Sequence, residues 1–287
     1  LSNDPSLDPA PEQRTFEDLT LLERKAIRAL ADYIGNGSIP IVGDDGQVRA
    51  FEGTGTLFRF GDSAVLVLAA HVRPLIEAGF AFIPLGGGDQ TRIRGDFAEA
   101  TGREDPDVLA IRLPSELAEA LEGRYRAHST GDLFNPNAHT ALGYMLAGFQ
   151  NAERDPLDPR SYSVPMKVLA REYEGSLEDL WLEFRLDPYA HLLLTYERAW
   201  ATEGGESREL PDPRGISGCS VWAVVGRQES AVWDPGDRVR IFAVETSVIR
   251  NRWIRSTRWG VVARLLFEAW PDVGAVLDEE FGPLPGG

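Results

Sequence analysis

The sequence predicts an all-β chain built in two strand-rich halves, with a helix at each end. Three observations carry this. Short apolar runs bracketed by turn residues fill 39–113 and again 140–246. A polar stretch, 123–137, separates the two series. Near both ends the apolar residues recur instead at three- and four-residue steps. The expected organisation is a disordered lead and N-terminal helix (1–37), a first β unit (38–122), a linker (123–139), a second β unit (140–257), and a C-terminal helix and tail (258–287).

Residues 1–14 read as a disordered lead. Thr15, with Asp18 three positions on, offers a helix cap. Leu19, Leu22, Ala26, Ala29, Leu30 and Tyr33 then form one apolar face, which stops at Gly35-Asn36-Gly37. Candidate strands follow at 39–42, 55–60, 64–69, 80–84 and 108–113. Asp44-Asp45-Gly46, Gly61-Asp62 and Gly86-Gly87-Gly88 are the turns between them. Residues 114–122 read as a short helix with Leu117 and Leu121 one turn apart. The second series comprises 140–149, 164–170, 180–186, 191–196, 220–225 and 239–246. Val261, Val262, Leu265, Leu266 and Ala269 mark a closing helix. Short strands with frequent turns fit an antiparallel barrel or a sandwich equally well.

Composition narrows the function. Acidic residues outnumber basic ones by 45 to 29, for a formal charge of -16. Such a surface repels phosphate backbones and anionic bilayers, so neither nucleic acid nor membrane is expected as a partner. The single cysteine, Cys219, excludes an intramolecular disulfide and makes a cysteine-based zinc site implausible. Residues 1–11 lack a cationic start followed by an apolar run, and no stretch approaches a membrane span. The expected location is the cytoplasm. There is no phosphate-binding Gly-x-x-x-x-Gly-Lys loop and no His-Glu-x-x-His helix. No metal or cofactor is expected.

Three fragments carry chemistry. Ala69-Ala70-His71 ends an apolar strand. Asp107 opens the strand Val108-Leu109-Ala110-Ile111. Ser217 lies in Gly215-Ile216-Ser217-Gly218. A hydroxyl becomes a nucleophile when a base takes its proton, and imidazole has a suitable pKa for that. Of the four histidines, His128 and His139 lie in polar, linker-like sequence, and His191 begins an apolar run. Only His71 stands where a strand hands over to a loop. Each fragment has an ordinary reading as well: a core histidine, an Asp-Pro-Asp turn in which Asp105 competes with Asp107, and a plain Gly-Ser turn. In company, base, orienting carboxylate and nucleophile follow a recognised chain order. The amides of Gly215 and Ser217 are candidate oxyanion donors. Cys219 lies two positions beyond the nucleophile position and reads as a packed thiol.

With Gly53-Thr54-Gly55-Thr56 added, these residues resemble the trypsin-like (chymotrypsin-fold) serine peptidases, in particular the disulfide-free bacterial members. The resemblance covers roughly 38–260 and lies mainly in the motifs. It implies two antiparallel six-stranded barrels with the site in the cleft between them. It makes His71 the general base, Asp107 its orienter, Ser217 the nucleophile and Gly215 an oxyanion donor. It places the wall of a specificity pocket at Val244, Glu245 and Thr246, and its floor around 210–213. Two departures stand out. Gly218 is followed by Cys219-Ser220 where the family usually continues with Gly-Pro. Ile216 replaces the aspartate that many animal members use in zymogen activation.

The expected function is a serine endopeptidase acting on polypeptides through an acyl-enzyme on Ser217. The alternative is a catalytically inactive fold serving as a binding or regulatory module, which the Cys219-Ser220 departure favours. A third expectation is an enzyme kept latent by a protein partner or by residues 1–35.

Overall fold

The computed structural model describes residues 20–44, 49–100, 106–149, 166–173, 180, 184, 186–203, 206–208, 215–226, 233–249 and 252–281. In order these form α1 (Leu21–Gly35), β1 (Ser38–Asp44), β2 (Arg49–Phe60), β3 (Ser63–Ala69), α2 (Arg73–Glu77), β4 (Ala81–Gly86), β5 (Asp89–Arg92), β6 (Asp96–Glu99), β7 (Val108–Arg112), α3 (Ser115–Glu122) and β8 (Ala127–His128). Then come β9 (Ala141–Gly148), β10 (Met166–Glu172), β11 (His191–Glu203), β12 (Glu206–Arg208), β13 (Ser220–Val225), β14 (Val239–Ile249), β15 (Trp253–Arg258), α4 (Trp259–Ala269) and α5 (Pro271–Phe281).

The strands build two sheets. In the second, β10-β9-β13-β14-β15-β11 run in order and β10 also pairs with β11, so six strands close into a barrel with β12 appended. The first has eight strands in the order β5-β4-β1-β2-β3-β7-β6, with β8 on β2. Its end strands β5 and β6 do not pair with each other among the described residues, so no closed six-stranded barrel is seen there. It still wraps one core, because Ile83 of β4 and Leu109 and Ile111 of β7 share a cluster.

The continuous apolar run of β3 has a physical reason. Leu66 and Leu68 face the first sheet's own core, whereas Val65 and Val67 face a second core shared with the other half. A strand covered on both faces shows no polar alternation. That shared core joins Phe58 and Val67 to Met145, Trp222, Ile241 and Val244, and it receives Ile34 of α1 and Val262 and Leu266 of α4.

Several expectations need correction. Thr15 lies outside the described residues, and α1 is capped instead by Thr20, whose side chain accepts from the Glu23 amide while Glu23 reaches back to the Thr20 N–H. The strand expected at 180–186 is not found at its described residues. Leu180 and Phe184 are helical, one turn apart, and pack with Leu186 and Trp253. β5 and β6 carry too many polar residues to read as strands, and the tail expected after the closing helix holds a second helix, α5. His128 is not a polar linker residue: it is fully buried on β8, against Phe58 and Trp222.

Candidate functional site

β3 carries the chain through the interior and releases it at a single 3-10 turn, Ala70–Val72. Ala70 and Val72 are buried, while the His71 side chain remains 49% exposed. A fixed scaffold thus presents a ring that solvent can reach.

Asp107 holds that ring from the neighbouring strand. Its Oδ2 lies 2.8 Å from His71 Nδ1, and its Oδ1 accepts the His71 backbone N–H at 2.9 Å. The Asp107 carbonyl accepts the Ala70 N–H at 3.0 Å. One residue therefore fixes the turn, the ring and the tautomer, because Nδ1 must carry the proton to donate to a carboxylate. Asp107 is the one described non-glycine residue with positive φ, at 49°. That conformation is uncommon for a residue with a side chain, and strain of this kind persists only where surrounding contacts impose it. Here Thr257 Oγ1 on β15 donates to the preceding Pro106 carbonyl, which ties the bend to the other half of the molecule. The bond to Asp107 raises the His71 pKa above its usual 6.5, partly opposed by burial. The competing Asp105 lies outside the described residues.

The turn bearing Ser217 is built on glycine. Gly215 and Gly218 have φ of 95° and 90°, values that favour residues without Cβ. A Cβ at Gly218 would also lie 2.2 Å from Thr54 O and 2.7 Å from Ala69 N. Ile216 is buried and abuts Gly148, and the Cys219 N–H donates to its carbonyl.

β2 docks this turn. The Thr54 N–H donates to Ser217 O at 2.7 Å, Thr54 Oγ1 donates to Gly215 O at 3.0 Å, and Thr54 Oγ1 accepts from the Phe149 amide at 2.9 Å. Gly53 sits between Ser217 O and the Val72 side chain. The turn thus packs on the end of β3, within two residues of His71. Neither the Gly215 nor the Ser217 amide donates to a described group. No hydrogen bond joins the His71 ring to Ser217 Oγ among the described residues.

The departure at Cys219-Ser220 is absorbed by packing. Cys219 is fully buried in the second barrel's core, and burial, with Glu245 adding to it, pushes its thiol well above the ordinary range. Ser220 Oγ lies 2.9 Å from Thr56 Oγ1 on β2. Both side chains are thus engaged in packing and in the contact with β2.

Of the three residues expected to wall a pocket, Val244 packs in the shared core and Thr246 Oγ1 donates to Arg255 O within the β14–β15 pair. Glu245 alone comes to the turn that bears Ser217. Its carbonyl accepts the Gly218 N–H at 2.7 Å and its N–H donates to Cys219 O at 2.9 Å. Its carboxyl group is fully buried beside Ser217. The Ser217 hydroxyl is near enough to ease a charge there, yet neither carboxyl oxygen has a partner in hydrogen-bonding geometry. Burial raises the Glu245 pKa to about 8. The expected pocket floor, 210–213, lies outside the described residues.

Sequence reasoning missed Thr54 as the residue that docks the Ser217 turn; the glycines on either side of it were its one signal of a close approach.

No family model and no curated protein matches the sequence. Among solved structures, the chain is similar to the serine protease domain of the Sesbania mosaic virus polyprotein, at 11% identity over 80% of this chain and 92% of that one, with a TM-score of 0.45. It is also similar to the scabies mite inactivated protease paralogue S-I1, at 11% identity over 84% and 94%, TM-score 0.46. A third is the protease Anisep from Arthrobacter nicotinovorans, at 12% identity over 82% and 95%, TM-score 0.44.

Proposed function

We propose that the protein is a serine endopeptidase that cuts polypeptides through an acyl-enzyme on Ser217. What supports this most is the Asp107 clamp on His71, with the ring bonded at 2.8 Å through Nδ1 and its Nε2 left for another partner. A histidine held in this way is poised to accept a proton at neutral pH.

Ser217 Oγ attacks the scissile carbonyl while His71 Nε2 accepts the hydroxyl proton. Asp107 holds the resulting imidazolium. The Gly215 and Ser217 amides donate to the oxyanion as it forms. His71 then returns the proton to the leaving amine, and water attacks the acyl-enzyme by the same route in reverse. His71 must be neutral to begin, so the rate falls on acidification through a value above 6.5. Ser217→Ala is expected to lower peptide hydrolysis by about 10³-fold or more with the melting temperature unchanged. Retention of full activity in that variant would contradict the assignment.

The second reading, an inactive fold used for binding, is favoured by one observation: no hydrogen bond runs from Ser217 to His71 among the described residues. An inactive chain would show no turnover in the wild type that Ser217→Ala removes.

A further inference from the structure

Glu245 is a buried acid in contact with the alcohol proposed as nucleophile. It is 0% exposed, and both of its carboxyl oxygens lack a hydrogen-bond partner. Two backbone bonds, Gly218 N–H to Glu245 O and Glu245 N–H to Cys219 O, clamp it to the nucleophile turn, so it cannot drift away from Ser217. The charged and titratable groups facing it are Ser217 and Cys219 on that turn, Asp107 before β7 and Arg255 on β15. Asp107 repels a charge on Glu245, and Arg255 only partly offsets this. An unpaired anion in such a place is costly, whereas a neutral acid needs a single acceptor.

Ser217 Oγ can accept two hydrogen bonds and donate one. A neutral carboxyl donates, but a carboxylate only accepts. We propose that Glu245 is a positioning residue that sets the direction of the Ser217 hydroxyl: as a neutral acid it donates to Oγ and leaves the O–H free for His71, and as a carboxylate it takes that O–H for itself. The inference rests on Ser217 being the nucleophile. No atom is transferred in the switch beyond the proton that Glu245 gains from or loses to solvent. The carboxyl's raised pKa, about 8, places the change on the alkaline side of neutrality.

The test is the second-order rate at which a fluorophosphonate labels Ser217, measured against pH for the wild type and Glu245→Gln. In the wild type the rate should fall about thirtyfold between about pH 7 and about pH 9.5, as the neutral fraction of a group titrating near 8 declines. The glutamine amide donates at every pH, so in Glu245→Gln the same interval should change the rate by less than about threefold. An alkaline fall in Glu245→Gln equal to that of the wild type would overturn the inference and leave Ser217 as nucleophile. Absence of a Ser217 adduct in the wild type at every pH would overturn the underlying reading as well. If Glu245→Gln fails to fold, isotope-edited infrared spectra of the wild type decide. Loss of a buried protonated-carboxyl band over the same interval supports the inference, and no such loss overturns it.

Discussion

Asp107 shows how much one residue can do. Its carboxylate bonds both the ring and the backbone of His71, and its carbonyl holds Ala70. Replacing it by asparagine keeps the shape but removes the charge that holds the imidazolium and can present an N–H to Nδ1. Asp107→Asn is expected to lower kcat by roughly 10³–10⁴, with little change in KM. The sign of the pH effect follows from the cause of the shift. Bonding to Asp107 raises the His71 pKa, and the base works only when neutral, so the acid limb in Asp107→Asn should move to lower pH. A pH profile of kcat/KM checks both; an unmoved limb would contradict the assigned role. At this scale the sequence made legible that His71, Asp107 and Ser217 each stand at a boundary between an apolar run and a turn. The burial of the Glu245 carboxyl was not legible. Val221 pairs with Ala243 but Trp222 pairs with Ile241, so Phe242 is an extra residue in β14. That bulge shifts the alternation, putting Val244 on the core side that Ile241 occupies. No alternation rule applied to 239–246 could place the carboxyl.

Elements were legible where one force dominated. β3, β7, β13 and α4 are apolar enough to be read directly, and the three glycines at 86–88 all adopt positive φ in the β4–β5 hairpin, as a turn requires. β5 and β6 failed because exposed strands are held by ladder bonds to β4 and β7, which leave no apolar signature. β8 failed because it contributes two residues in parallel to β2. α1 bears on the expectation that residues 1–35 hold the chain latent. Leu30, Ala31 and Ile34 are buried in the core shared by both halves. Lys167 pairs with Asp32, and the Tyr33 hydroxyl donates to Asp132. Burial of Leu30 and Ile34 alone contributes about 3–6 kcal/mol, a large share of the 5–15 kcal/mol typical of a folded domain. Removing residues 1–35 should therefore abolish or strongly lower the cooperative melting transition and give no gain in activity. A truncated chain with an unchanged melt and higher activity would instead support a latency role for this segment.

The whole molecule brings together groups that neither half holds alone. His71 and Asp107 come from the first sheet and Ser217 from the loop before β13 of the second. The joint between them is polar as well as apolar. Thr54 bonds to Ser217 and Gly215 across it, Thr56 meets Ser220, and Thr257 reaches Pro106. The apolar part centres on Trp222, Phe58, Val67 and Val244. The division into two strand-rich halves could be seen in the sequence. The closure of the second sheet could not, because it depends on the β9–β13 and β11–β15 pairings between strands far apart in the chain. In the proposed reaction an alcohol from one half attacks an acyl carbon under a base from the other. The most direct measurement is the mass of the protein quenched in acid during turnover of an activated acyl ester. An acyl group on the peptide containing Ser217, absent from Ser217→Ala and strongly reduced in His71→Ala, is the predicted result. Hydrolysis with no adduct on that peptide, or an adduct on another residue, would contradict the account.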